Sequence, residues 1–564
     1  MKHKFSVLLV LSSLLLVSNA CTDLNENVLD ESFNPTLTPQ ETADGLIAPV
    51  YALLPEIYKH TNYFALQEIS TDEAILPYRG GTDWGDNGIY LNLHAHTTTS
   101  TDPNVRTTWD NLATSISRSI VAINSLATLN SANANMYKAE ARGMRAFYNL
   151  LMLDLFGIAF VKDDPREYSK IIRGDEAVKY IESEFLAVEN ALPAKANVAA
   201  GRLTQGAVWG LLAKLYLNAA VYRNRYADQF TFTAEDMDKV ISYTDKVIAS
   251  GQYQLSNDYF GIFGNNNHNN PELIFAVDQR PELNGHNRLA YFSLSGDQFP
   301  LAAYPSANGT DGPAITPDFY RIWTQAYGNE DPKRDPRFYQ ENMKIYSNAA
   351  DTCVSAADYK INRGILRGQQ YGLLRVNGVF LKCANGQFKV GKLYNSSRNR
   401  SDLPVNFTEQ IDFTTAGSNY STGYRVEKYE FSSSSNTGRN RGEADISIIR
   451  LADIYLMRAE AKLRKSNDAA AALADVNTVR AARSLTQAPP ALTAMNLDLL
   501  FRERGFEFYW EMLRRTDMIR FNKYEGTWTE KTNTDKRKRI FPIPQTAIDG
   551  ASNRAGYLMQ NEGY

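Results

Sequence analysis

Residues 79–88, RGGTDWGDNG, set one tryptophan among four glycines, a context too permissive for a packed helix. An indole in such a loop suits an exposed platform. Sugars present C–H faces that stack on aromatic rings, while neighbouring carboxylates, amides and guanidinium groups bond their hydroxyls. Trp84 with Asp83, Asp86, Asn87 and Arg79 supplies that mixture and forms the first candidate glycan-binding group. The alternative is a turn whose Trp84 folds inward as a cap on the scaffold. Two further glycine-punctuated pieces, GILRG at 364–368 and GKLYN at 391–395, offer Arg367 and Tyr394 as additional recognition groups.

Other patterns that imitate chemistry fail on one required residue each. Read as a calcium loop from Asp83, the first span has Gly85 at the third position and His94 at the twelfth, where oxygen ligands are needed. The run GQFKVGK at 386–392 imitates a phosphate loop, but Leu393 stands where a hydroxyl must reach magnesium. His94 and His96 alternate as on one face of a strand, yet no cysteine or acid at ligand spacing accompanies them, so no metal site is expected. No zinc-protease helix, nucleophile elbow or paired-cysteine redox motif is present, and no cofactor or enzymatic activity is expected. The two carboxylates of a glycosidase would be set by the fold, which spacing cannot show. A net charge of −3 from 60 basic and 63 acidic residues lacks the strongly basic face of a nucleic-acid binder. The short run Lys536 to Arg539 reads as a solvated turn.

The three cysteines divide by position. Cys21 follows a basic head (Lys2, His3, Lys4), an apolar run of about 13 residues and a small, polar Ser18-Asn19-Ala20. That run is short of the roughly 20 residues a membrane span needs, so it reads as a signal peptide rather than a retained helix. A cysteine directly after the cleavage site is the acylation point of a bacterial lipoprotein, although Ser18 replaces the usual leucine. Two or more acyl chains hold a protein to a bilayer almost irreversibly. Cys353 and Cys383 remain as an even pair in an exported body, where a disulfide can form and persist.

The elements that must position these groups are helical. With 43% apolar and 11% aromatic residues among 564, the chain can bury a large core. Apolar and small residues recur at helical spacing over 139–156, 204–222 and 448–463, each followed by a partner pattern over 176–192, 234–250 and 468–483. Gly157 marks the end of the first and Thr204 the start of the second. Such pairs fit a tetratricopeptide-like stack, in which neighbouring pairs bury a continuous core. From 257 to 442 Gly, Asn, Ser and Pro multiply, with β-like runs over 272–277 and 424–431; a long loop-rich insertion in a helical scaffold is usually kept for binding. The expected order is a signal peptide (1–20), a lipidated tether (21–39), an N-terminal helical-repeat scaffold (40–256), a loop-rich ligand-binding module (257–442), C-terminal helical repeats (443–525) and a strand and turn segment (526–564) that includes 539–544.

Five ordered blocks resemble the SusD/RagB family of nutrient-binding outer-membrane lipoproteins. They are AEARGMRAFY at 139–148, GRLTQGA at 201–207 with LAKLY at 212–216, IRLADIYLMRAEA at 449–461 with VNTVR at 476–480, FRERGFE at 501–507 with DMIR at 517–520, and FPIP at 541–544 with QNEGY at 560–564. The resemblance implies a mainly α fold of about four tetratricopeptide-like helix pairs with a loop-rich insertion carrying short strands. It also implies a protein anchored at the cell surface on the outer membrane, which captures a glycan and delivers it to a SusC-like TonB-dependent outer-membrane transporter, acting as its lid. The rival readings are a tetratricopeptide-like scaffold for peptides or proteins and a secreted glycan hydrolase.

Overall fold

The computed structural model describes residues 37–79, 86–195, 198–280, 288–298, 309–343, 352–414, 418–431 and 442–564. Thr38 opens helix α1 (Pro39–Tyr51) with a capping box, its hydroxyl accepting from the Glu41 amide while the Glu41 carboxylate reaches back to the Thr38 amide at 2.8 Å. A short α2 (Leu54–Ile57) follows, then α3 (Ile89–Ala95) and the long α4 (Pro103–Ala127), which starts on Asp102 accepting from the amides of Asn104 and Val105. α4 packs against α5 (Ala134–Phe156), the first helix that the sequence pattern marks. α5 is almost wholly buried and ends at Gly157 with φ +71°, the left-handed cap that favours glycine. Gly143 in its middle lets Leu203 approach so closely that a Cβ would sit 2.4 Å from a leucine methyl.

α6 (Gly174–Leu186) and α7 (Gln205–Arg223) form the next pair, with the Thr204 hydroxyl capping α7 as its position suggests. α8 (Ala234–Ala249) packs on α7 and reaches across to α10 (Leu451–Ser466), which pairs in turn with α11 (Ala469–Ala482). α12 (Leu497–Phe508) and α13 (Arg514–Arg520) close the stack, and α14 (Gln545–Gly550) lies near the C-terminus. α9 (Pro317–Tyr327) stands alone inside the loop-rich stretch. This is the mainly α, tetratricopeptide-like arrangement that the helix patterns predict. Among the described residues no helix is long and apolar enough to cross a membrane.

The loop-rich stretch carries short antiparallel strands. Arg363–Leu366 pairs with Arg425–Glu427 on one side and with Tyr339–Gln340 on the other, and Phe388–Lys392 pairs with Tyr371–Leu373 and with Thr352–Val354. Leu273–Val277 pairs with Ile446–Arg450, all ten positions buried. One contiguous apolar core takes side chains from Ala43 to Ile543, including Phe275, Trp323, Val405 and Ile449. Scaffold and insertion therefore share an interior. Trp323 lies fully buried on Phe506, ring centroids 3.8 Å apart, and Trp109, Trp510 and Trp528 are buried as well, while Trp209 is half-buried beneath Lys246.

Four expectations need correction. Residues 448–450 are strand, not the first turn of a helix: Ile446–Arg450 runs straight into α10. A strand buried on both faces reads as a continuous apolar run, and periodicity cannot separate that from a buried helix. His94 and His96 close α3 rather than alternating along a strand, and carbonyls of Ile69, Ala74 and Thr529 surround the buried His94 ring. Residues 541–544 form no strand; Asn561 anchors this irregular stretch through the Phe541 carbonyl at 2.8 Å. The run Lys536–Arg539 is a single 3-10 turn whose last member is buried, with Arg539 bonding Glu525 at 2.7 Å, so it is only partly solvated.

Candidate functional site

Arg79 sits at the base of the loop-rich face, 1% exposed. Its guanidinium donates to backbone carbonyls from two distant segments: Nε to Asp311 (2.9 Å), Nη2 to Gly312 (2.8 Å), and Nη1 to Asn419 (2.9 Å) and Thr422 (2.8 Å). Arg425 works beside it, with Nη1 on the Ser293 carbonyl (2.8 Å) and Nη2 on that of Tyr420 (2.9 Å). Burial pushes both guanidinium groups down, Arg425 to about 10, and the neighbouring Arg425 charge pushes Arg79 down further. Irregular backbone cannot satisfy its own carbonyls in a dry interior, and a planar fork of donors satisfies several at once. The expectation that Arg79 binds sugar hydroxyls is therefore corrected: its fork is committed to loop carbonyls, and its role is to fix the bases of the loops.

The other expected groups are distributed around this base. Asp86 accepts from the Gly88 amide at 2.9 Å, which sets the turn into α3, and the exposed Asn87 next to it has φ +59°. Asp83 and Trp84 lie outside the described residues. Tyr394 is 43% exposed, and the buried Asn395 beside it donates to the Ser421 hydroxyl at 2.9 Å, within the segment that Arg79 and Arg425 pin. Arg367 is half-buried and already paired: its Nη1 donates to the Tyr320 hydroxyl and its Nη2 to Asp331, both at 2.7 Å. Those partners leave it as a brace between α9 and the junction of the strands Arg363–Leu366 and Gly368–Gln369, a correction to its reading as an exposed recognition group. The fold thus gathers Arg79, Tyr394 and the 418–425 segment, and holds Arg367 beside them against Tyr320 and Asp331.

Sequence reading missed three residues here. Arg398 binds the Asp311 carboxylate at 2.8 Å and lies 5.4 Å from the Tyr420 ring centroid, and the Ser397 hydroxyl donates to Asp297 at 2.6 Å. Their partners lie about a hundred positions away or come from another loop, so no local motif marks them. Arg425 had one available signal, a charged residue inside a short β-like run. Elsewhere, one ligand atom each from His268, Asp278 and Asp445 falls within 4.8 Å of the others, and among the described residues the buried side-chain amide of Gln279 beside them has no hydrogen-bond partner. These residues could hold a cation, a grouping that their spacing does not announce.

Beneath the loops a buried ion network ties insertion to scaffold. Glu507 on α12 accepts from Arg450 (2.7 Å), Arg337 (3.2 Å) and Arg483; Glu272 takes Arg450 and Arg483 at 2.7 Å; Lys428 meets Glu511 at 2.7 Å. Burial alone would raise the Glu507 carboxyl, but the three guanidinium groups hold it well below the usual range. A buried pair adds little net stability over an apolar replacement, yet removing one member strands a charge at roughly 3–5 kcal/mol. The network therefore specifies how the insertion seats.

Paired helices carrying a stapled, loop-rich face define a helical-repeat protein. The model of the SusD family matches residues 248–564, and the chain belongs to that family. It is 26% identical over 454 residues to the starch-binding protein SusD of Bacteroides thetaiotaomicron, covering 76% of this chain and 72% of the relative. Among solved structures it is similar to a laminarin-binding SusD-like protein (TM-score 0.63, 18% identity, 93% of this chain and 99% of the other). It is also similar to surface glycan-binding protein A from Bacteroides thetaiotaomicron in complex with laminarihexaose (TM-score 0.63, 19% identity, 92% and 99%). At those identities the structural likeness speaks for the fold.

Proposed function

We propose that this protein captures a glycan at the cell surface without cleaving it and delivers it to a SusC-like TonB-dependent transporter in the outer membrane, over which it acts as a lid. The observation that carries the reading is the match to a starch-binding relative across most of both chains, in a protein of the same family. The loop-rich face supports it. Two buried arginines fix loop bases by their carbonyls, and Tyr394 stands exposed beside them with Asn87 and Asp86 at the turn that follows Trp84. Aromatic faces with polar rims are what hydroxyl-rich ligands need.

Cys21 supplies the anchor in this reading, and residues 22–39 a tether with a root-mean-square reach of roughly 20–25 Å if it behaves as a coil. A lipid-held binder concentrates polymer at the membrane but needs a separate pore, and confinement raises the effective concentration of that partner. Electrophoresis of the native protein through gels containing starch, laminarin or xyloglucan tests the capture step. Retardation in at least one gel, with no new reducing ends released, is expected; unaltered mobility in all three contradicts it.

A further inference from the structure

A groove of about 410 Å³ opens beside the strand Tyr339–Gln340. It falls within the ~300–1,000 Å³ of ordinary small-molecule sites. Three segments wall it: the turn at Asn257, the stretch from Lys333 to Glu341, and Leu485 with Thr486 just after α11. Tyr339 contributes a half-buried ring with the Lys333 ammonium 4.3 Å from its centroid, and Leu485 is 49% exposed.

Two features suit this groove to a hydroxyl-rich ligand. The first is available hydrogen-bonding capacity: the exposed side chains of Asn257, Glu341 and Thr486 and the half-buried Tyr339 and Gln340 line it, and among the described residues these side chains form no hydrogen bond. Around the loop cluster, by contrast, Arg398 is spent on Asp311, Ser397 on Asp297 and Arg400 on Asp402. The second is a rigid frame. Arg483 donates to the Ser256 carbonyl at 2.8 Å, the Leu485 amide to the Asn257 carbonyl at 3.1 Å, and Arg337 grips Asp335 at 2.6 Å. The walls are thus set by the buried ion network, so binding there costs little ordering entropy.

We propose that this groove is a second glycan subsite, which takes a neutral sugar segment on Tyr339 and Leu485 and bonds its hydroxyls through Asn257, Gln340, Glu341 and Thr486. The proposal rests on the glycan reading above. Its placement gives it a use. Tyr339–Gln340 and Arg425–Glu427 are the two outer strands of one three-stranded sheet, about 10 Å apart at the usual strand spacing. A polymer long enough to reach both the groove and the loop face at Tyr394 gains avidity over either contact alone, whereas a short oligosaccharide fills the sites independently.

Calorimetric titration of the mature full-length protein in detergent tests this, using whichever of starch, laminarin and xyloglucan it retains and a hexasaccharide prepared from that polymer. The expected result is two hexasaccharide sites per chain, falling to one in Tyr339→Ala and in Trp84→Ala, with polymer affinity dropping about tenfold or more in each. Glu341→Ala, an exposed change that leaves the frame intact, should weaken one of the two sites and guards against misfolding of the tyrosine variant. A single wild-type site that Trp84→Ala abolishes overturns the groove alone. Absence of binding by all three polymers overturns the glycan reading and the groove with it.

Discussion

Arg79 reaches carbonyls 232 and 343 positions along the chain, so one side chain closes a large part of the loop face. Each carbonyl left unpaired in a buried site costs about 1–3 kcal/mol. Arg79→Met should therefore lower unfolding stability by on the order of 3 kcal/mol, read by denaturant titration; a loss within experimental error contradicts the staple. Glu68 and Glu73 support a strained stretch of backbone. The amides of Trp510 (φ +65°) and Met512 (φ +63°) donate to Glu73 and Glu68, in a backbone region that costs non-glycine residues energy. Burial raises both carboxyls, Glu73 to about 8. A folded value above the unfolded one means that this contribution is complete below about pH 4.5 and lost as pH rises through about 8. Glu73→Gln keeps the acceptor oxygen and removes one of the two titrations, so the decline of stability from pH 5 toward 8 should become shallower in that variant, Glu68 carrying what remains. Lys428, lowered to about 8 chiefly by burial, acts above that window, between about 8 and 10.5. The glycine-rich context of Arg79 was legible; its burial was not, because its partners are distant backbone atoms that carry no residue type.

Helices were the most legible elements, since caps such as Thr204 and Gly157 and apolar spacing are local properties. The sequence shows a helical pattern around Trp109, but the full 25-residue extent of α4 was not legible. Its buried face includes Asn104, Thr108, Ser115 and Ser119, polar residues that blur an apolar stripe. Most strand pairings in the insertion are non-local, and its strands are two to five residues long, below what alternation can reveal. Within them, Cys353 on Thr352–Val354 is joined to Cys383, Cα atoms 6.2 Å apart and 30 positions apart in sequence. The bond ties the edge strand of its sheet to the turn that precedes Phe388–Lys392. Closing such a loop stabilises by on the order of 3–4 kcal/mol in the chain-entropy account. Labelling of the denatured, unreduced mature protein should find neither thiol free. In Cys353→Ser, hydrogen exchange should quicken over 352–392 while α5 and α7 stay protected. Quickening throughout would mean that the insertion and the scaffold unfold as one.

At the scale of the molecule, the shared core and the ion network on Glu507 make the insertion part of one body with the helix stack. That body has only its lipid to hold it at a membrane in our reading, so Cys21→Ala should move it from the membrane to the soluble fraction; unchanged fractionation contradicts the anchor. Gentle solubilisation of native outer membranes should recover a TonB-dependent barrel with it in near-equal amount, and its repeated absence across detergents contradicts the lid. The broad architecture could be read because five sequence blocks keep their order. The ligand face could not, because it is assembled from loops that meet only in space, such as those at Arg398 and Asp311. Glycan capture through the loop face is the central claim, and direct titration of the full-length protein and its Trp84→Ala variant with the polysaccharide retained in gels tests it most directly. The account predicts saturable binding without released reducing ends, and an affinity about tenfold lower in the variant, taking roughly 1–3 kcal/mol per stacked ring by analogy with base stacking. Equal affinity in both proteins, or sugar ends appearing as the titration proceeds, would contradict it.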